Sequence, residues 1–130
     1  MLIITGSMRV DPDDLPQFLA DFDLLAAETR LRKGSISYDA ALADAKAGLF
    51  LISERWADQA SLDAHLAAAD TVAFIDRWSG RMQGDLKKYD ASNERYLMEY
   101  RTLFRPLVTE GSHPRGRECL PRPWDQRRGT

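Results

Sequence analysis

The sequence predicts an α+β domain in the order β-α-β-β-α-β, with its strands in one antiparallel sheet. Three observations carry that expectation. A one-faced helical stripe runs from Leu15 to Thr29. Two alternating runs, 35–42 and 49–56, are joined by the short polar link Ala43-Asp44-Ala45-Lys46-Ala47-Gly48, as in a hairpin. A second helical stripe after Asp58 then leads into a final, weaker strand signal.

Each element has a local cause. Residues 2–10 alternate loosely and stop before Asp11-Pro12-Asp13-Asp14. There Asp11 is placed to cap a helix, Pro12 suits its first position, and the two acids favour the positive end of its dipole. Leu15, Phe18, Leu19, Phe22, Leu25, Ala26 and Thr29 come next at steps of three and four, the spacing of one buried helix face. The helix is expected to fade at Arg32-Lys33 and stop at Gly34.

In the next strand, Ile36 and Tyr38 are expected on one face, with Ser35 and Ser37 on the other. In Leu49–Trp56, the strongest strand signal, Phe50, Ile52, Glu54 and Trp56 share a face. Asp58 caps the second helix, whose inward stripe is read as Leu62, Leu66 and Ala69. Asp70 marks a kink or restart, after which Val72, Ile75 and Trp78 continue the apolar face to about Arg81. Residues 84–92, with Leu86 and Tyr89, close the set as the last strand.

This is the ferredoxin-like topology, expected to occupy residues 1–92. Two helices cover only one face of such a sheet. A second copy of the chain is the economical cover for the open face, which predicts a homodimer closed into an α/β barrel. Residues 93–108 hold Tyr96, Tyr100, Phe104 and Leu107 at helical steps, with Leu97, Met98 and Leu103 between them, and are expected to form an arm packed on the dimer. Residues 109–130 combine Gly, Pro and Arg without periodicity, which reads as an extended basic tail.

Composition narrows the classes of function. The 130 residues are 44% hydrophobic and 29% charged, ordinary for one globular domain. Residues 1–100 carry 11 basic and 17 acidic side chains, a net of −6, whereas 101–130 carry 7 and 3, a net of +4. So acidic a domain is a poor match for duplex nucleic acid, which needs a coherent basic surface. The longest aliphatic or aromatic run, Leu49 to Ile52, is far too short to span a membrane. The single cysteine, Cys119, and a start without a secretory leader pattern suggest the cytoplasm. No paired-histidine or paired-cysteine metal spacing, phosphate loop, dinucleotide fingerprint or nucleophile elbow occurs, so neither metal nor cofactor is expected.

His65 stands out as the titratable group near neutral pH within the expected core, at the margin of the second helical stripe. It is suited to deprotonate a phenol or hold the resulting anion; the plainer alternative is a half-exposed helix histidine bonded to water. Trp56 offers a stacking wall for an aromatic ligand, or simply core. Glu54, on the same face, is placed to orient His65 or to pair with Arg55 or Arg77. Tyr38, Phe74 and Trp78 are further candidates for the pocket wall, each with a packing role as the alternative. Arg77 and Arg81 suit either an acidic substrate or a solvated helix end.

Gly34 to Tyr38, Glu54-x-Trp56, His65 on its helix, and Phe74, in that order, resemble the antibiotic biosynthesis monooxygenase family. The resemblance implies a dimeric ferredoxin-like fold with a pocket between sheet and helices in each subunit. It also implies cofactor-independent oxidation of a phenol, quinol or anthrone to a quinone, in which the substrate anion itself reduces oxygen. Two positions depart from relatives of known chemistry. Ile52 stands where polyketide oxygenases carry an asparagine, and Ile75 stands where haem-degrading relatives carry an axial histidine. A lactone isomerase or polyketide cyclase using the same pocket, and a non-catalytic ligand-binding dimer, remain the alternatives.

Overall fold

The structure, a computed structural model, describes residues 1–98. Strand β1 (Leu2–Val10) lies inside a four-stranded sheet of order β2-β3-β1-β4, all neighbours antiparallel. Strands β2 (Ser35–Asp44) and β3 (Leu49–Trp56) form the expected hairpin, and β4 (Met82–Asp90) pairs with the other side of β1. Helix α1 (Leu15–Thr29) joins β1 to β2, and α2 (Gln59–Ala67) with α3 (Ala69–Trp78) joins β3 to β4. The compact unit is Met1–Ser92. The β-α-β-β-α-β order and the ferredoxin-like sheet are therefore as the sequence predicts, with the second helix in two pieces.

Alternation fixes which face packs. Leu2, Ile4 and Val10 of β1 and Phe50, Ile52 and Trp56 of β3 are buried under Phe18, Phe22 and Ala26 of α1. Phe18 sits at the hub, its ring 4.8 Å from Phe50 and 5.0 Å from Trp78. Two glycines permit close approach. A Cβ on Gly6 (φ 153°) would lie 1.9 Å from the carbonyl oxygen of Asp85 in β4. A Cβ on Gly34 (φ 82°) would lie 2.0 Å from Ser61 Oγ, so the α1–β2 turn nests against α2 only because this residue is glycine.

Several boundaries and faces differ from expectation. Asp11 caps a short 3-10 turn, Pro12–Asp14, through a 2.9 Å bond from the Asp13 N–H, and the α-helix proper begins at Leu15. At the far end α1 stops at Thr29. The chain then tightens into i−3 bonds from Leu31 and Arg32, which places Arg32 in a turn beyond the helix. In β2 the register shifts between Ser35 and Ser37, leaving Ile36 without a ladder partner and half exposed. Tyr38 is buried, so this bulge separates the two residues expected on one face.

The break in the second helix falls at Ala68, whose ψ of 141° is extended, and not at Asp70, which lies in the first turn of α3. The inward faces of both pieces differ from the expected ones. Leu62 and His65 face inward from α2 while Leu66 and Ala69 are exposed. In α3, Thr71, Phe74 and Trp78 face the core while Val72 and Ile75 turn outward. Strand β4 begins two residues earlier than expected. Residues 93–98 carry no regular secondary structure, and the rest of the expected arm and tail lies outside the described residues. No helix among the described residues is long and apolar enough to cross a membrane.

Candidate active site

A cavity of about 430 Å³ opens between α2, α3 and the sheet, within the range of small-ligand sites. It opens toward β4, where every residue after Met82 is exposed, whereas Ile4 of β1 and Ile52 of β3 are buried. Its walls are mostly apolar, with Ile4 and Ile52 from the sheet, Leu62 from α2, Phe74 from α3 and Leu86 from β4. Glu54, Tyr38, His65 and Thr71 supply polar groups, and Lys87 and Lys88 stand on its β4 side. Lys88 is held there by a 2.9 Å bond to Gln59 Oε1.

His65 enters from α2 and is only 3% exposed. Its Nδ1 lies 2.6 Å from Nη1 of Arg32 and 3.3 Å from Oγ1 of Thr71. The same Nη1 also lies 3.1 Å from Thr29 Oγ1 and from Thr71 Oγ1, so its two N–H groups are shared among three acceptors, of which Nδ1 is nearest, while Nη2 pairs with the Asp70 carboxylate. Thr29 in turn donates to the Leu25 carbonyl at 2.7 Å, so every member of the cluster is tied to a helix or a turn. Burial pushes the imidazole's pKa down to about 4; the Arg32 charge pushes the same way and the Asp70 charge opposes it. Among the described residues Nε2 has no hydrogen-bond partner, and the ring borders the cavity.

Glu54 comes from the middle of the packed face of β3, paired in register with Ile4 on one side and Tyr38 on the other. It is 8% exposed, and burial raises its carboxyl to about 7; the nearby Trp56 indole eases the charge slightly. That indole N–H nevertheless finds no acceptor in bonding geometry. Burial, and then the neighbouring Glu54 charge, push the Tyr38 phenol up well beyond its ordinary value, so it stays protonated.

Four of the six residues singled out in the sequence meet at this cavity: His65, Glu54, Tyr38 and Phe74. The other two do not line it. Trp56 stands behind His65, stacked on the imidazole, and so supports the site without forming its wall. Trp78 is fully buried against Phe18; its Nε1 donates to Asp21 at 3.0 Å and Arg81 lies over its ring at 4.3 Å. Glu54 makes no hydrogen bond to His65. The imidazole is oriented by Arg32 and Thr71, which sequence reasoning missed. Thr29 carried a signal, a hydroxyl inside an apolar stripe; Arg32 looked like an ordinary basic helix end. Arg77 and Arg81 pair with Asp21 and Asp14.

Residues 1–77 match the family described as antibiotic biosynthesis monooxygenase. Among curated proteins, "Putative monooxygenase YcnE" of Bacillus subtilis (strain 168) is 24% identical over 75 residues, covering 58% of this chain and 79% of its own. Among solved structures, a "putative antibiotic biosynthesis monooxygenase" from Deinococcus radiodurans superposes with a TM-score of 0.68 at 22% identity, over 75% of this chain and 99% of that one. Rv0793 of Mycobacterium tuberculosis does so with a TM-score of 0.62 at 18% identity, over 72% and 98%. At these identities the structural matches establish the shared fold, and the match over residues 1–77 establishes kinship: the chain belongs to the antibiotic biosynthesis monooxygenase family.

Proposed function

We propose that the chain is a cofactor-independent oxygenase that converts a small aromatic hydroxyl compound, of phenol, quinol or anthrone type, to a quinone. The observation that supports this reading most is the meeting of a buried carboxyl with a pKa of about 7 and a buried imidazole in one apolar cavity. In its ionised form Glu54 takes the substrate's acidic proton. His65 holds the resulting anion, and Ile52, Phe74 and Leu86 flank the ring and keep water from it. A desolvated aromatic anion is a strong electron donor. It passes an electron to molecular oxygen, and the radical pair joins at a ring carbon to form the new C–O bond. Glu54 returns its proton to the peroxide, and O–O cleavage with loss of the hydrogen on that ring carbon releases water and leaves the carbonyl; a phenol or anthrone thereby gives a quinone and a quinol gives a hydroxyquinone. The substrate supplies all four electrons that reduce oxygen; one oxygen atom enters the product and the other leaves as water.

The same reading gives the chain a homodimer through the open sheet face, where Leu51 and Tyr89 are 54% and 50% exposed opposite the helices. A second reading draws on Glu54 alone. A carboxyl titrating near neutrality also suits an isomerase or cyclase that moves a proton without oxygen. Turnover of a panel of quinols, anthrones and naphthols, with and without oxygen, separates the two. Oxygen-dependent turnover above autoxidation, lost in Glu54→Gln, is expected. Equal turnover without oxygen would assign the isomerase, and saturable binding without turnover would leave a ligand-binding dimer.

A further inference from the structure

We propose that Arg32 is a positioning residue: it holds His65 in the tautomer protonated on Nε2, so that the imidazole meets the cavity as a hydrogen-bond donor. The inference rests on the proposed function in taking this cavity as the active site. A guanidinium nitrogen only donates, and it does not lose its proton in a protein. Nδ1 of His65, 2.6 Å from Nη1 of Arg32, must therefore accept. A neutral imidazole with Nδ1 accepting carries its proton on Nε2.

The surroundings agree from every side. The Thr71 hydroxyl, 3.3 Å from Nδ1, is the other donor within reach, so Nδ1 accepts whichever of the two supplies the proton. Asp70, the one carboxylate in the cluster, pairs with Nη2 of Arg32 and not with the imidazole. Trp56 covers one face of the ring, and the Tyr38 ring meets it edge-on at 5.3 Å. Among the described residues no carboxylate accepts a proton from Nδ1, which is the arrangement that would make Nε2 a base. Two of the cavity's three buried titratable groups thus divide the work, the third, Tyr38, staying protonated. His65 supplies a fixed N–H to a developing oxyanion, and Glu54 takes the proton. This division sets the substrate class: it must form an oxyanion beside Nε2, as an ionised phenol or enol does, and a neutral hydrocarbon ring would leave that donor unmatched.

Nitrogen-15 spectra of the full-length protein, with the His65 signals assigned by their loss in His65→Gln, read the tautomer directly and need no substrate. The wild type is expected to show a single neutral tautomer protonated on Nε2 from pH 8 down to about 5, above its pKa of about 4. Arg32→Leu should mix the tautomers and raise the titration point in part, burial of the ring being the larger cause of its depression, whereas Arg32→Lys, which keeps a donor, should retain Nε2–H. Where oxygen uptake is measurable, Arg32→Leu should lower kcat about 10–100-fold with KM little changed, and Arg32→Lys should recover part of it. A wild-type spectrum with the proton on Nδ1, or an even mixture, overturns the inference even if no variant folds. So does a folded Arg32→Leu with tautomer and titration unchanged. The expected tautomer without oxygen uptake would instead count against the oxygenase reading alone.

Discussion

The Trp56 indole lies against the His65 imidazole, ring centroids 4.9 Å apart and planes 25° from parallel. Strand β3 thereby fixes the back of a ring that α2 carries and Arg32 holds by its edge. Because the indole N–H has no acceptor, its apolar area is what matters. Trp56→Phe, which keeps a stacking ring, should cost less than Trp56→Ala, for which about 3–5 kcal/mol is expected. Urea unfolding of both variants checks this. A Phe variant as unstable as the Ala variant would mean that the N–H has an unseen partner.

Glu54 makes stability depend on pH in a definite direction. Its carboxyl titrates at about 7 in the fold, above its ordinary value of 4.5. The neutral form is therefore favoured on folding, and that contribution is complete below pH 4.5 and lost as pH rises through 7. Glu54→Gln should gain on wild type by on the order of 3 kcal/mol between pH 4.5 and 8. Denaturation midpoints at the two pH values measure the gain. A constant difference would show that the carboxyl titrates normally.

Oxidation should be sensitive to the same groups in different ways. Losing the N–H of His65 by substitution with Ala should lower kcat by about 10²–10³-fold, with the remaining rate still rising as Glu54 ionises near pH 7. A pH–rate profile for His65→Ala that lost this rise would assign the base role to the histidine.

Gly34→Ala tests how the site is anchored. The substitution strains a residue at φ 82° and drives a methyl group into Ser61 of α2, the helix that carries His65. A loss of about 2–3 kcal/mol is expected in thermal unfolding. A variant as stable as wild type would mean that the turn and α2 separate freely.

Leu51→Asp places a charge in the middle of the open sheet face, on a side chain that contributes nothing to the core of its own subunit. Sedimentation should find the wild type dimeric and this variant monomeric. A monomeric wild type would rule out the proposed dimer.

Where side-chain period alone decides structure, the sequence was legible. The faces of β3, the α1 stripe, and the Asp58 cap, which accepts from the Ser61 N–H at 2.7 Å, are as the pattern predicts. Periodicity failed where the backbone departs from regular geometry. The bulge leaves Ile36 itself exposed, and the extended Ala68 resets the phase of α3, leaving Val72 and Ile75 exposed. Glu54 and Tyr38 were legible as polar groups on strand faces, His65 as a histidine at the margin of a helical stripe, and Phe74 through the family resemblance. Arg32, Asp70 and Thr71 were not, since a charged or hydroxyl side chain at a helix end reads as solvated until tertiary contacts bring 33 residues of separation down to a hydrogen bond.

If molecular oxygen itself oxidises the anion formed in this cavity, an oxygen atom from the gas must appear in the product. The deciding experiment is mass spectrometry of the product formed under ¹⁸O₂ by metal-stripped, full-length protein, with the best substrate of the panel. A quinone carrying one labelled oxygen atom per molecule is expected, formed with equimolar oxygen uptake and abolished in Glu54→Gln. A product without label, or one formed equally well without oxygen, would overturn the oxygenase reading.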